Sequence, residues 1–373
     1  MKRLTPRFRR WLLMRQRHSR HRAEAVAATS NVRAWARRRA SFMATRARLP
    51  AIRYDYVTYP GYGAFIPPTD LSFARNYDET LAFILDFRRL FFERRLYKFP
   101  DGERRKIYAD FARIETIDAG AGLVLAAEID RFVKSRPVRH EVHDHLWHEA
   151  VREFFFEAGL FDLLKIDPQT VGFNENPSSI RKTIRLRSGR TKSGTDALGL
   201  RSEIEALSGK SIAARPHAYT AIAEALANVG HAYPSWFRSW PWKASGRWWA
   251  LGFWDQPRNT VGLQLYDQGA GIPATLPKQQ HWPRLFPFLE PERKASGLIK
   301  AGLEYGRTST GQPGRGMGLA EMADWIETSG SGFLRILSGD GEVTYRPGAR
   351  LDRRDFDAPF CGTLIEWEVV LDA

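Results

Sequence analysis

Apolar positions recur at intervals of three and four from Asn76 to Arg95, where Leu81, Ile84, Leu85, Phe87, Leu90 and Phe91 fall on one side, and this spacing predicts an amphipathic helix. Lys106 to Ile114 alternates instead and predicts a strand. A turn over Thr116 to Gly122, a helix over Leu123 to Val133 and a helix over Glu149 to Leu164 follow. These elements define a small α/β domain over 52–165, entered through a loop-rich stretch holding Pro60, Gly61, Gly63, Pro67 and Pro68. Residues 166–204 are rich in Gly, Ser, Thr, Pro, Lys and Arg and predict a linker with at most one edge hairpin; a second domain spans 205–373.

In that second domain, Thr220 to His231 is an alanine-rich helix with Ile222, Ala225, Leu226 and Val229 on its apolar side, stopped by Tyr233-Pro234. Arg247 to Trp254 and Thr260 to Asp267 flank a turn at Asp255-Gln-Pro-Arg-Asn259, the pattern of a hairpin. The strand tryptophans are expected to pack on a sheet, whereas Trp236, Trp240 and Trp242 lie in a loop and offer a partner surface. A helical run covers Ala320 to Thr328, and Cys361 to Val370 forms a last strand.

Charge changes this picture only at the N-terminus. Met1 to Leu49 holds 15 Lys and Arg against the single acid Glu24, a net of +14 out of +15 for the whole chain. The arm, 1–49, therefore carries the basicity, expected as two short basic helices, and the rest is close to neutral. Its arginines suit nucleic-acid phosphates, an anionic membrane surface, a protein partner or docking on the protein itself, and an organelle-targeting segment has the same composition. The single cysteine, Cys361, excludes an intramolecular disulfide and fits a reducing compartment. No apolar run approaches the roughly 20 residues that span a bilayer, and the run after Arg10 stops after four residues at Arg15, so the cytoplasm is the expected location.

Three polar segments carry candidate chemistry. Glu224, Asn228 and His231 are spaced by four and by three, which puts a carboxylate, an amide and an imidazole along one helical face. Asp267-Gln-Gly269-Ala-Gly271 ends a strand, where the acid can accept from an exocyclic amine and the glycines let backbone approach a flat ring. Gly314-Arg315-Gly316-Met317-Gly318-Leu319 opens into a helix whose N-terminal amides and dipole suit phosphates. A dinucleotide-binding fingerprint competes for this last loop, but no strand precedes it. His140, His143, His145 and His148 lack the His-Glu-x-x-His spacing of a zinc helix and are expected to be solvated.

In this order the three segments, with Cys361-Gly362-Thr363 as a fourth, resemble the GHKL (Bergerat-fold) ATPase superfamily over about 205–373. The resemblance implies an α+β protein whose C-terminal domain is a Bergerat α/β sandwich, a mixed sheet with helices on one face, that binds ATP and Mg²⁺. It implies that Asn228 holds the Mg²⁺, that Glu224 is the catalytic base, that Asp267 takes the adenine amine with Thr363 beside it, and that Gly269 and Gly271 border the ring. Gly314, Arg315, Gly316, Met317, Gly318 and Leu319 would wrap the phosphates, Ile272 to Pro313 would be the ATP lid with Arg307 and Ser309 near the γ-phosphate, and His231 would touch phosphate or cap its helix. Tyr108 to Leu125, with the helix holding Ala158-Gly159-Leu160, resembles the STAS domains of anti-anti-sigma factors; Asp118 is followed by Ala119-Gly120-Ala121, so the phospho-acceptor serine of those domains is missing.

The use of the ATP stays open at this level. An ATPase switch, in which lid closure couples to a protein or nucleic-acid partner, is the leading expectation; a serine protein kinase of the anti-sigma type and a nucleotide-gated module with little turnover are the alternatives. A homodimer is within what the resemblance implies.

Overall fold

The computed structural model describes residues 32–51, 53–55, 62–93, 97–98, 102–135, 146–164, 181–190, 194–212, 214–239, 246–279, 282–308, 318–348 and 350–371. The end of the basic arm is helical over 32–47 (α1), and it docks on the chain itself: Phe42 and Leu49 are buried, and Arg46 Nε donates to the buried Asp86 carboxylate at 2.8 Å.

The middle domain runs β1 (Arg53–Asp55), β2 (Tyr62–Ile66), β3 (Asp70–Leu71), α2 (Tyr77–Glu93), β4 (Tyr97–Lys98), β5 (Arg104–Ala109), β6 (Thr116–Ile117), α3 (Ala119–Ser135), α4 (Glu149–Glu157) and α5 (Leu160–Leu164). Its sheet has the order β1-β2-β5-β4 with β2 and β5 parallel, and β3 pairs with β6. The helix predicted from the Leu81 to Phe91 periodicity is α2. The strand expected over 106–114 ends at Ala109, because Phe111 turns into the core on a 3-10 turn. The helix expected from Leu123 starts at Ala119, since Asp118 caps it: its Oδ1 accepts the Ala121 amide at 2.6 Å and its Oδ2 accepts the Ser72 hydroxyl at 2.5 Å. Gly120 and Gly122 are close-packing positions in that first turn, for a Cβ would strike the Glu366 carboxylate at one and the Phe154 ring at the other. The helix expected over 149–164 breaks in two at Gly159, which takes φ +77°.

The C-terminal part runs β7 (Arg181–Gly189), α6 (Gly194–Ser208), α7 (Arg215–Ala232), β8 (Trp248–Asp255), β9 (Thr260–Asp267), α8 (Ile272–Thr275), α9 (Ala295–Thr308), α10 (Gly318–Ser329), β10 (Phe333–Arg346) and β11 (Arg350–Val370). Two expectations are corrected here. The stretch 166–204 is not simply a linker: β7 is the edge strand of the sheet and α6 packs on it, with Ile184, Ala197, Leu200 and Ile204 in the core. Among the described side chains of β7 only Ile184 is buried, so its arginine-rich flanks hid a strand whose outer edge is polar. The sheet, β10-β11-β9-β8-β7, is antiparallel at every pairing rather than mixed, because hairpins β8–β9 and β10–β11 make up most of it.

Side chains alternate across this sheet, and both faces are covered. Val261, Leu263, Leu265, Ile365, Trp367 and Val369 face α6, α7, α9 and α10. Trp249, Leu251, Tyr266, Leu337 and Leu364 face the opposite way and join the core of the middle domain, packed with Leu81, Leu125, Phe73 and Phe360. Among the described residues no helix is long and apolar enough to cross a membrane.

Candidate functional site

Helix α7 buries Ala218, Ala221, Ile222, Ala225, Leu226 and Val229, which leaves Glu224 and Asn228 half-buried, one turn apart, at the border between core and solvent. His231 is exposed in the last turn. The Glu224 carboxylate reaches the first residue of α10: a Cβ on Gly318 would lie 2.5 Å from its Oε2. Glu321, in the first turn of α10, has its pKa raised by burial and by the charges of Glu224 and Asp324. Leu319, buried on α10, fills the space left by Gly302 of α9.

A row of side chains crosses the sheet on the α7 side. Trp248 of β8, Asp267 of β9, Thr363 of β11 and Ser338 of β10 are successive register partners. Asp267 is buried, its Oδ1 accepts the Gly269 amide at 2.7 Å, and burial pushes its pKa up to about 7. Ser338 Oγ lies 2.9 Å from Thr363 Oγ1, donates to the Gly362 carbonyl at 3.2 Å and accepts the Ile272 amide at 2.8 Å. Ser338 thereby fixes the start of α8, a role the sequence reading missed. Its only trace in the sequence is a serine following Ile336-Leu337 just before Gly339.

Glycine is required at two points of this floor. At Gly362, φ is +114° and a Cβ would collide with the Asp267 carbonyl. At Gly269 a Cβ would meet the Ala232 carbonyl, and beside it the Ala270 amide donates to that same oxygen at 2.8 Å. The Asp267–Gly271 turn therefore hangs from the C-terminus of α7, and Tyr233, just beyond, accepts the Gln268 amide at 2.8 Å while donating to the Arg247 carbonyl at 2.9 Å.

From Ile272 the chain rises through α8 and short 3-10 turns to α9, whose first turn is clamped from the β10–β11 hairpin: Asp355 accepts the Ser296 amide at 3.0 Å and its hydroxyl at 2.7 Å. Thus Glu224 and Asn228 lie on α7, Asp267 ends β9 with Gly269 and Gly271 in the turn that follows, Thr363 lies within β11 beside Asp267, and Gly318 and Leu319 begin α10. Gly314, Arg315, Gly316, Met317 and Ser309, and the side chain of Arg307, lie outside the described residues, as do Trp240, Trp242, His140, His143 and His145. His148 stands at the start of α4 without a side-chain cap bond, and among the described residues no group of His, Cys, Asp and Glu is arranged to hold a metal by itself. No protein-family model, curated protein or solved structure matches the chain.

The arrangement pairs a buried acceptor at the bottom of a glycine-lined floor with half-buried acid and amide groups against a helix N-terminus. Such a site can take a flat ring bearing an amine at one end and an anionic group at the other.

Proposed function

We propose that this is an adenine-nucleotide site of the GHKL type and that the protein is a Mg²⁺-dependent ATPase switch. The observation that carries the reading is Asp267, a buried carboxylate whose described amide donor is that of Gly269, set beside Thr363 on a floor where Gly269 and Gly362 admit no side chain. A carboxylate there accepts from the exocyclic amine of adenine and meets the carbonyl of guanine with repulsion, so the site should take ATP over GTP. Asn228, one turn from Glu224 on the same helix, would offer its side-chain oxygen to a Mg²⁺ ion brought in with the nucleotide. Mg²⁺ when bound neutralises phosphate charge; the residues of this chain supply orientation, with the α10 N-terminus adding its dipole.

Glu224, one turn before Asn228 and against Gly318, has the location of a base that orients a water at the phosphate end. The test uses the full chain, a fluorescent ATP analogue and phosphate release. Binding that requires Mg²⁺, is lost by at least tenfold in Asp267→Asn, and is competed by ATP far better than by GTP is expected. Turnover absent in Glu224→Ala with binding intact would support the switch, whereas wild-type protein that binds ATP without releasing phosphate would overturn hydrolysis and leave transfer to a protein hydroxyl.

A further inference from the structure

The turn that carries Asp267 is gripped from the far face of the sheet by a charged pair of the middle domain. Gln268, next to Asp267, donates from Nε2 to Glu128 Oε1 at 2.6 Å. Glu128 lies on α3 with no solvent exposure, and Arg88 of α2 closes on the same carboxylate, with Nε donating to Oε2 at 3.1 Å and Nη2 to Oε1. Arg131 of α3 acts on Glu128 electrostatically as well. The Gln268 amide can take only one orientation here, since a carboxylate flanked by Arg88 accepts and does not donate. The result leaves Gln268 Oε1 buried without a hydrogen-bond partner among the described residues.

A buried ion pair and an unsatisfied carbonyl are poor ways to stabilise a fold compared with apolar packing. What they supply is orientation. Gln268 is held on both its ends, its backbone amide by Tyr233 and its side chain by Glu128, and it lies between the candidate base-reading acid and Gly269, whose amide that acid accepts. We infer that Glu128, braced by Arg88, is a positioning residue for the Asp267–Gly271 turn, so that the middle domain completes the nucleotide site through Gln268. A ligand or partner that moved α3 against α2 would then change nucleotide affinity without touching the nucleotide. The consequence for affinity rests on the nucleotide reading above; the positioning itself does not.

The experiment compares wild-type full-length protein with Gln268→Met, Gln268→Glu and the swap Glu128→Gln/Gln268→Glu. Hydrogen exchange over residues 267–271 reads the turn, and a fluorescent ATP analogue with Mg²⁺ reads affinity. Gln268→Met leaves the Arg88–Glu128 pair intact and should keep the wild-type melting temperature to within a few degrees, while exchange in the turn rises and affinity falls by at least tenfold each. Gln268→Glu sets two carboxylates together and should be worse; the swap restores one donor and one acceptor and should bring both readouts back to within threefold of wild type. Wild-type exchange in Gln268→Met, or a swap no better than Gln268→Glu, would overturn the inference. Should wild-type protein bind no nucleotide, the functional reading fails, and the exchange data alone then uphold or end the positioning role. If Gln268→Glu does not fold, Gln268→Met decides.

Discussion

On one face of the five-stranded sheet Val261, Leu263, Leu265, Ile365, Trp367 and Val369 meet helices α6, α7, α9 and α10 through apolar contact, while on the other Trp249 and Tyr266 share their surface with Arg335, Glu342 and Glu366. Both faces are buried, but the helix side buries the Asp267 carboxylate with the Gly269 amide as its donor, whereas the second buries charges paired with each other, and it does so where two parts of the chain distant in sequence meet. Arg335 Nε donates to Glu366 at 2.5 Å and lies 3.6 Å from Glu342, Trp249 Nε1 donates to Asp130 at 2.9 Å, and Arg88, Glu128 and Gln268 form a third group. Apolar packing draws surfaces together with little preference for register, whereas a buried donor tolerates few alternative partners. The contrast separates adhesion on the helix side from alignment on the middle-domain side.

The largest effects expected are losses of a tryptophan from either face. Trp367→Ala removes a fully buried ring whose Nε1 donates to the Met322 carbonyl at 3.1 Å, and Trp249→Ala removes its counterpart; each should lower unfolding free energy by about 3–5 kcal/mol in denaturant titrations. The comparison is broken if Trp249→Ala proves nearly neutral, because the middle domain would then contribute little to the sheet.

Next in size is a difference between single and paired substitutions. Arg335→Met leaves Glu366 and Glu342 buried without their shared cation and should cost about 3–5 kcal/mol at pH 8, while adding Glu366→Leu should recover most of it. On the helix side the corresponding pair, Ile365→Val with Leu263→Ala, should simply add or worsen. Equal behaviour of the two pairs would remove the distinction between alignment and adhesion.

How much of this was legible in the sequence follows the same division. The periodicity of α2, the β8–β9 hairpin and the helix α7 are local signals, so Leu81 to Phe91 and Thr260 to Asp267 announced themselves. Asp267 and Gly269 could be picked out because turn glycines and a strand-end acid are unusual in their immediate context, Thr363 only through the family resemblance, and the register then aligned Asp267 with Thr363. Ser338 and Glu128 could not. Their meaning comes from partners 25 and 140 residues away, Thr363 and Gln268, and polar residues in an apolar run read alike whether they are paired or solvated. The strand β7 was lost for a related reason, since an edge strand with one buried residue has the composition of a linker.

A smaller effect tests the charged face through pH. Burial raises Glu366 to about 7 against an ordinary 4.5, with Arg335 opposing and Asp118 adding to the rise, and burial raises Asp267 likewise from 3.8 to about 7. In both cases the folded state holds a proton that the unfolded chain releases near pH 4. Their contribution to stability is therefore full below about pH 4 and is lost as pH rises towards 7, by up to about 3 kcal/mol for Glu366 and about 4 kcal/mol for Asp267. Chemical denaturation of Glu366→Gln should show a flatter stability profile between pH 4.5 and 7 than wild type. Nucleotide affinity should run in the opposite direction, because an amine donor favours the ionised Asp267: the dissociation constant should rise by up to tenfold per pH unit below 7, and Asp267→Asn should abolish that slope.

The smallest effect lies at the solvent edge of the helix side. Lys278, in the 3-10 turn after α8, sits 3.2 Å from the centre of the Trp236 ring, which follows α7 and is 46% exposed. A cation over an exposed ring contributes about 0.5–1 kcal/mol, so Trp236→Ala should barely move the global unfolding midpoint. The contact nevertheless joins the end of α7 to the segment that leads into α9, and a weak tie at such a place governs local opening rather than folding. Limited proteolysis should therefore cut 272–290 about two- to fivefold faster in Trp236→Ala while the core fragments stay intact. Unchanged cleavage would mean that the Asp355 clamp on Ser296 and the Ser338 bond to Ile272 hold this segment by themselves, which would make the whole helix side as tightly aligned by hydrogen bonds as the face opposite it.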